Sequence, residues 1–184
     1  MLGFNGGLMG VRRVPTTGAA SGLWFQNEQS VAQRAAIWPL GITNFNVASI
    51  TYTQSSVYGG ASAATNANMT DSSTANTATA TNADAPGWVR MDLGQLYVVG
   101  SVIVGTGTSS IPGGWSYTYT ENCDVQYSSD ASTWTTAFNT GAFGANGIYT
   151  FTVSFTARYI RIANPSTWLA LTEFYALAPG QTYP

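Results

Sequence analysis

The sequence has no histidine, no lysine and a single cysteine, and only 8% of its residues carry charge. An ordinary soluble domain is about a quarter charged. Each shortage closes off a class of function. Without histidine no Ser-His-Asp set can form, and Cys123 lacks its usual base. The eight acids show no arrangement suggestive of a paired-carboxylate glycosidase. No enzyme is expected. A lone cysteine cannot close an internal disulfide, so folding in a reducing cytoplasm is expected. All six bases are arginines, scattered except for the doublet Arg12-Arg13. With a pI near 4.7 they leave no basic footprint, and nucleic-acid binding is not expected. The longest apolar run, Tyr97 to Val104, is too short to span a bilayer. Arg12 and Arg13 come after a weak apolar stretch instead of preceding one, and Pro15 breaks any hydrophobic region beyond them. Neither an export signal nor membrane insertion is expected.

Thr, Ser, Asn, Ala and Gly take the place of charge. Residues 1–21 carry five glycines and little periodicity, as an extended arm would. GLWFQNEQSVAQRAAIWP (22–39) then reads as a short helix. Asn27 is its N-cap, Glu28 stands in the first turn and Arg34 in the last. Val31, Ala32 and Ala35 form a narrow apolar stripe, and Pro39 stops the helix near Trp38. Such a helix needs a partner surface.

From residue 42 the period changes to two. Strands are expected at 42–52, 88–94, 97–105, 123–128, 133–138, 148–155, 157–163 and 171–177. Val89, Met91 and Leu93 should point inward from WVRMDLG, and Cys123, Val125 and Tyr127 from CDVQYS. Eight short strands with Gly, Pro, Asn and Ser turns indicate an all-β, two-sheet sandwich. ASAATNANMTDSSTANTATATNADAP (61–86) breaks the rhythm, with Met69 as its only bulky apolar residue. It reads as a long loop within one sandwich, of the kind that is usually functional or held by something.

Three stretches resemble F5/8 type C (discoidin-like, galactose-binding-like) domains: GWVRMDLGQLYVVGSVIVG, CDVQYSSDASTW and ARYIRIANPSTWLALTEFYAL. The resemblance implies a jelly-roll of about eight strands and a module that binds glycans or lipid surfaces through loops at one end. GFNGGLMGVRRVPTTGAASGLWFQNEQSVAQRAAIWP resembles leaders of tailed-bacteriophage structural proteins. Together they imply an attachment arm and helix (1–41), a jelly-roll (42–178) and a tail (179–184). Arg12, Arg13, Trp24 and Trp38 would hold the arm to other virion proteins. The expected protein is then a virion component of the tail fibre or baseplate, homo-oligomeric and directed at host glycan. The alternative is a capsid decoration or adaptor protein.

Exposed aromatics carry the binding expectation. Trp115, Tyr117 and Tyr119 surround a glycine turn, and Trp168 precedes the last strand. Rings of this kind stack on sugars, and Asn122 and Asn164 can bond hydroxyls. The alternative is that the rings close the barrel end or meet a neighbouring subunit. The family resemblance further implies Ca²⁺ held by Asp71, Thr74 or Thr77, and Glu173, with loop carbonyls completing an oxygen shell. The alternative is a polar loop pinned by side-chain hydrogen bonds. Asp92 is expected to pair with Arg158 or Arg161 as scaffold, and Asp124 and Asp130 to sit at strand ends and turns.

Overall fold

Alternation in WVRMDLG decides the core. Val89, Met91 and Leu93 are all buried, while Trp88, Arg90 and Asp92 lie half-exposed on the opposite face. A computed structural model describes residues 46–71, 78–83, 86–106 and 116–182. The arm, the first helix and Arg12, Arg13, Trp24 and Trp38 lie outside the described residues.

Among the described residues there are seven strands: β1 (Thr51–Gln54), β2 (Thr79–Ala80), β3 (Gly87–Thr106), β4 (Asp124–Ser128), β5 (Thr135–Asn139), β6 (Ile148–Asn164) and β7 (Ala170–Leu177). Every ladder is antiparallel. β3 and β6 run side by side and serve both layers of the sandwich. The first part of β3 lies between β1 and β6, and β6 passes on to β4 and β5. The later part of β3 lies between β6 and β7, with β2 beyond. Register shifts at Asp92/Tyr97 and Val99/Ser101 mark the change of layer. Gly94 makes the first shift possible. Its φ is +86°, a conformation that costs glycine little, and its N–H donates to Asp92 Oδ1 at 2.7 Å.

Three expectations change here. Segments 88–94 and 97–105 are one strand, as are 148–155 and 157–163, because the chain bends through bulges instead of turning back. The expected strand at 42–52 begins only at Thr51; Val47–Ser49 is a 3-10 turn capped by Asn46, whose side chain accepts from the Ala48 N–H. Residues 61–86 contain more structure than a loop: the short helix α1 (Asn66–Met69) and strand β2. Met69 is wholly buried, which stabilises by about 1.5–3 kcal/mol relative to exposure. Amides fasten the rest. Asn66 Nδ2 donates to Val47 O at 2.7 Å, Asn68 Nδ2 donates to Ala63 O at 2.9 Å, and Asn68 Oδ1 accepts from the Thr65 N–H at 2.7 Å. A stretch that looks like linker by composition is held by its own side chains.

Between the layers, Val89, Met91, Val125, Ile160, Ile162, Leu171 and Phe174 are fully buried. β7 is buried along its whole length, with α1 packed against it. No helix among the described residues is long and apolar enough to cross a membrane.

Candidate functional site

The connections after β1, β2, β3, β5 and β6 converge at one end of the sandwich, joined by short hydrogen bonds. The Tyr58 N–H donates to Ala80 O at 3.0 Å, and the Thr81 N–H donates to Leu169 O at 2.9 Å. Thr120 Oγ1 donates to Ala170 O at 2.7 Å, and Thr140 Oγ1 donates to Thr120 O at 2.9 Å. Threonine hydroxyls reach neighbouring carbonyls without charge, so the end of a charge-poor protein can be rigid.

Three rings stand on this frame. Trp168 lies between Tyr58, at a centroid distance of 4.6 Å, and Tyr119, at 6.4 Å. Ala78, Ala80 and Ala170 form the floor beneath them. All three rings are half-buried, so each presents an aromatic surface to solvent on a fixed support.

The expected binding residues divide. Tyr119 and Trp168 come together. Tyr117 shares the 3-10 turn Tyr117–Tyr119, and its N–H donates to Asn146 Oδ1 at 2.7 Å. Asn122 is exposed at φ +54°, a turn position, with its N–H on Gly141 O. Asn164 has its side chain committed internally. It is 5% exposed, Nδ2 donates to Trp168 O at 2.9 Å, and Oδ1 accepts from the Ser166 and Thr167 N–H groups. It shapes the loop that carries Trp168. Trp115 lies outside the described residues. Sequence reasoning misses Tyr58, whose only signal is an aromatic immediately before Gly59-Gly60.

Of the expected calcium ligands, Thr74 and Thr77 lie outside the described residues. Asp71 is exposed just beyond α1, and Glu173 is wholly buried on β7. Among the described residues no three of His, Cys, Asp and Glu gather as a metal cluster.

Asp92, Asp130, Asp124 and Cys123 are structural. Asp92 pairs with Arg158 and not Arg161: Arg158 Nε donates to Oδ1 at 2.9 Å and Nη2 to Oδ2 at 3.0 Å. These bonds hold the Asp92 carboxyl below its ordinary range. Asp130 Oδ1 accepts from the Ser132 and Thr133 N–H groups in a turn, which lowers its pKa strongly. Asp124 opens β4 and accepts from Asn139 Nδ2. Burial, with Asp124 adding to it, pushes the Cys123 thiol up to about 12. Such a thiol is a core side chain and not a nucleophile.

A family model described as NedA-like, galactose-binding domain matches residues 68–162. No curated protein matches the chain in sequence. Among solved structures, CpGH89CBM32-5 from Clostridium perfringens, in complex with GalNAc-β-1,3-galactose, is 12% identical at a TM-score of 0.59, over 74% of this chain and 99% of that one. The fucolectin from striped bass (Morone saxatilis) serum is 20% identical at a TM-score of 0.61, over 74% of this chain and 49% of that one. The family 32 module from C. perfringens NanJ, in complex with galactose, is 18% identical at a TM-score of 0.57, over 73% of this chain and 98% of that one. At these identities the likeness is one of fold.

Proposed function

This chain belongs to the NedA-like, galactose-binding domain family, and from that membership we propose that its loop end binds a galactose-class sugar. The observation that carries the reading is the Tyr58–Trp168–Tyr119 cluster on its alanine floor. A pyranose presents an apolar face of C–H groups, which suits an aromatic surface fixed by neighbouring rings. Nearby amides and carbonyls then select among hydroxyls. The protein is a binding module in this reading, with no chemical step. Titration with galactose-, GalNAc- and fucose-terminated oligosaccharides tests it. Saturable binding of a galactose-terminated ligand is expected; no binding of any of the three would overturn it.

We extend the proposal to calcium. A carboxylate taken wholly out of water is costly unless a cation or hydrogen-bond donors meet it. Glu173 is wholly buried, on a strand against which α1 packs. Glu173 with Asp71 and loop carbonyls is a hard-oxygen donor set of the kind Ca²⁺ takes. The ion would tie the loop to β7 and so fix the site's floor. Calcium at a hundredfold excess over its dissociation constant should stabilise the fold by about 2.7 kcal/mol. Chelation should lower the melting temperature, and Glu173→Gln should abolish that response. Identical melts with and without chelator would return Asp71 and Glu173 to the scaffold.

The narrower proposal, that residues 1–41 attach this module to a bacteriophage particle as an oligomeric tail or decoration component, rests on the sequence of the leader. Its test is the particle. A chain beginning at Gly41 should fold and bind sugar yet be lost from purified virions. Absence of the full chain from them would overturn it.

A further inference from the structure

The outer face of the layer formed by β1, β3, β6, β4 and β5 carries an arrangement that sheets ordinarily avoid. In register across the five strands stand Thr53, Arg90, Arg161, Gln126 and Thr136, each opposite the next. Two arginines therefore face each other directly, and like charges placed so are destabilising. Both are half-buried. Burial first, and then Arg90, depress the Arg161 guanidinium pKa.

The rest of the row holds the pair in place. Arg90 Nε donates to Thr53 Oγ1 at 3.1 Å, Arg161 Nε donates to Gln126 Oε1 at 2.7 Å, and Gln126 Nε2 donates to Thr136 Oγ1 at 3.2 Å. Arg161 lies 4.1 Å from the centre of the Trp134 ring, and Arg90 lies 5.6 Å from both Trp88 and Tyr159. Each guanidinium is thus fixed by one Nε–H bond and by aromatic contact. Among the described residues their Nη nitrogens make no hydrogen bond to protein.

The acids on this face are already engaged. Asp92 gives both oxygens to Arg158, in the only ion pair among the described residues. Asp124, on the same face of β4, accepts from Asn139. Neither hydrogen-bonds to Arg90 or Arg161, although Asp92 lies close enough to Arg90 to feel its charge. Two pre-positioned guanidiniums with free Nη edges match an oxyanion, which accepts bidentate bonds in that geometry. The missing charge is negative.

We propose that the Arg90–Arg161 pair is an anion subsite for an acidic saccharide, whose oxyanion is a carboxylate or a sulfate ester. It lies on the sheet face, on residues separate from the Tyr58–Trp168–Tyr119 cluster. The choice of a saccharide as carrier rests on the sugar-binding proposal; the anion site itself does not.

The test titrates the full chain with trigalacturonate, a 6-sulfated galacto-oligosaccharide, a neutral galacto-oligosaccharide and a glutamate oligopeptide, at low and high salt. At least one acidic sugar should bind in low salt and weaken at least tenfold in high salt, because the contact is electrostatic. Whichever acidic sugar binds names the oxyanion. Arg90→Gln should weaken that binding at least tenfold while neutral-sugar affinity stays unchanged. Each arginine also supports the row, Arg161 through Gln126 and Trp134 and Arg90 through the longer contacts to Thr53, Trp88 and Tyr159. Arg90→Gln is therefore the deciding variant only with an unaltered melt, which confirms that it is folded. Arg90→Lys should bind at an intermediate level. No binding of either acidic sugar, or equal binding by Arg90→Gln, would overturn the proposal. Glutamate oligopeptide binding as tightly as the sugars would overturn the saccharide assignment. Failure of the neutral sugar alone would count against the loop-end reading and leave this one standing.

Discussion

Gly105→Ala is expected to destabilise the protein by about 3 kcal/mol, as forced overpacking does. A Cβ at this position would lie 2.6 Å from Glu173 Cβ, 2.6 Å from Thr172 Oγ1 and 2.7 Å from the Glu173 backbone nitrogen. None of these is the far end of a flexible side chain. β3 cannot retreat, because Gly105 is paired with Glu173 on one side and Ile148 on the other. Nor can Thr172 swing aside freely, since its hydroxyl donates to Thr106 O at 2.9 Å. The melting temperature should fall by about 6–12 °C for a chain of this size. Gly144→Ala is the control: nothing lies within 4 Å of its added Cβ, and it should change stability by less than about 1 kcal/mol. Equal melts for the two variants would mean that β3 and β7 are not locked at this point.

The same contact explains what the sequence can and cannot disclose. Val89, Met91, Leu93, Cys123 and Val125 are legible because period-two alternation is the physical signature of one buried face. β7 carries no such signature, since it is buried on both faces, and nothing in its pattern shows that Glu173 is buried. The bends in β3 and β6 read as turns. A glycine that permits a bulge, such as Gly94 at φ +86°, looks the same in sequence as one that reverses the chain. β2 has two residues, too few for any period. At the site, Trp168 and Tyr119 are visible as aromatics among turn residues. Asn164 reads as a sugar ligand because the same amide chemistry closes loops and binds hydroxyls, and only its partners distinguish the two. The facing of Arg90 and Arg161 depends on strand register, which no local pattern encodes.

Trp168→Ala should cost about 2 kcal/mol of sugar affinity, or about thirtyfold in Kd, the scale of an aromatic hot spot. Trp168 is the middle ring of the cluster, so its loss also frees Tyr58 and Tyr119 from their shared contact. The fold should survive. The ring is half-exposed over Ala78, Ala80 and Ala170, and the cost in stability should stay below the roughly 3–5 kcal/mol of a core tryptophan. The loop backbone keeps its own supports, because Asn164 Nδ2 bonds to the residue 168 carbonyl and not to the ring. Trp168→Phe separates the two effects: it restores an aromatic face and should recover part of the affinity. Calorimetric titration with a galactose-terminated oligosaccharide, alongside a thermal melt of each variant, reads both quantities. A folded Trp168→Ala that binds as tightly as the parent would remove the ring from the sugar site. If the same variant instead lost a protein partner while sugar affinity held, the cluster would be an interface anchor. The loop end would then serve assembly instead of sugar recognition.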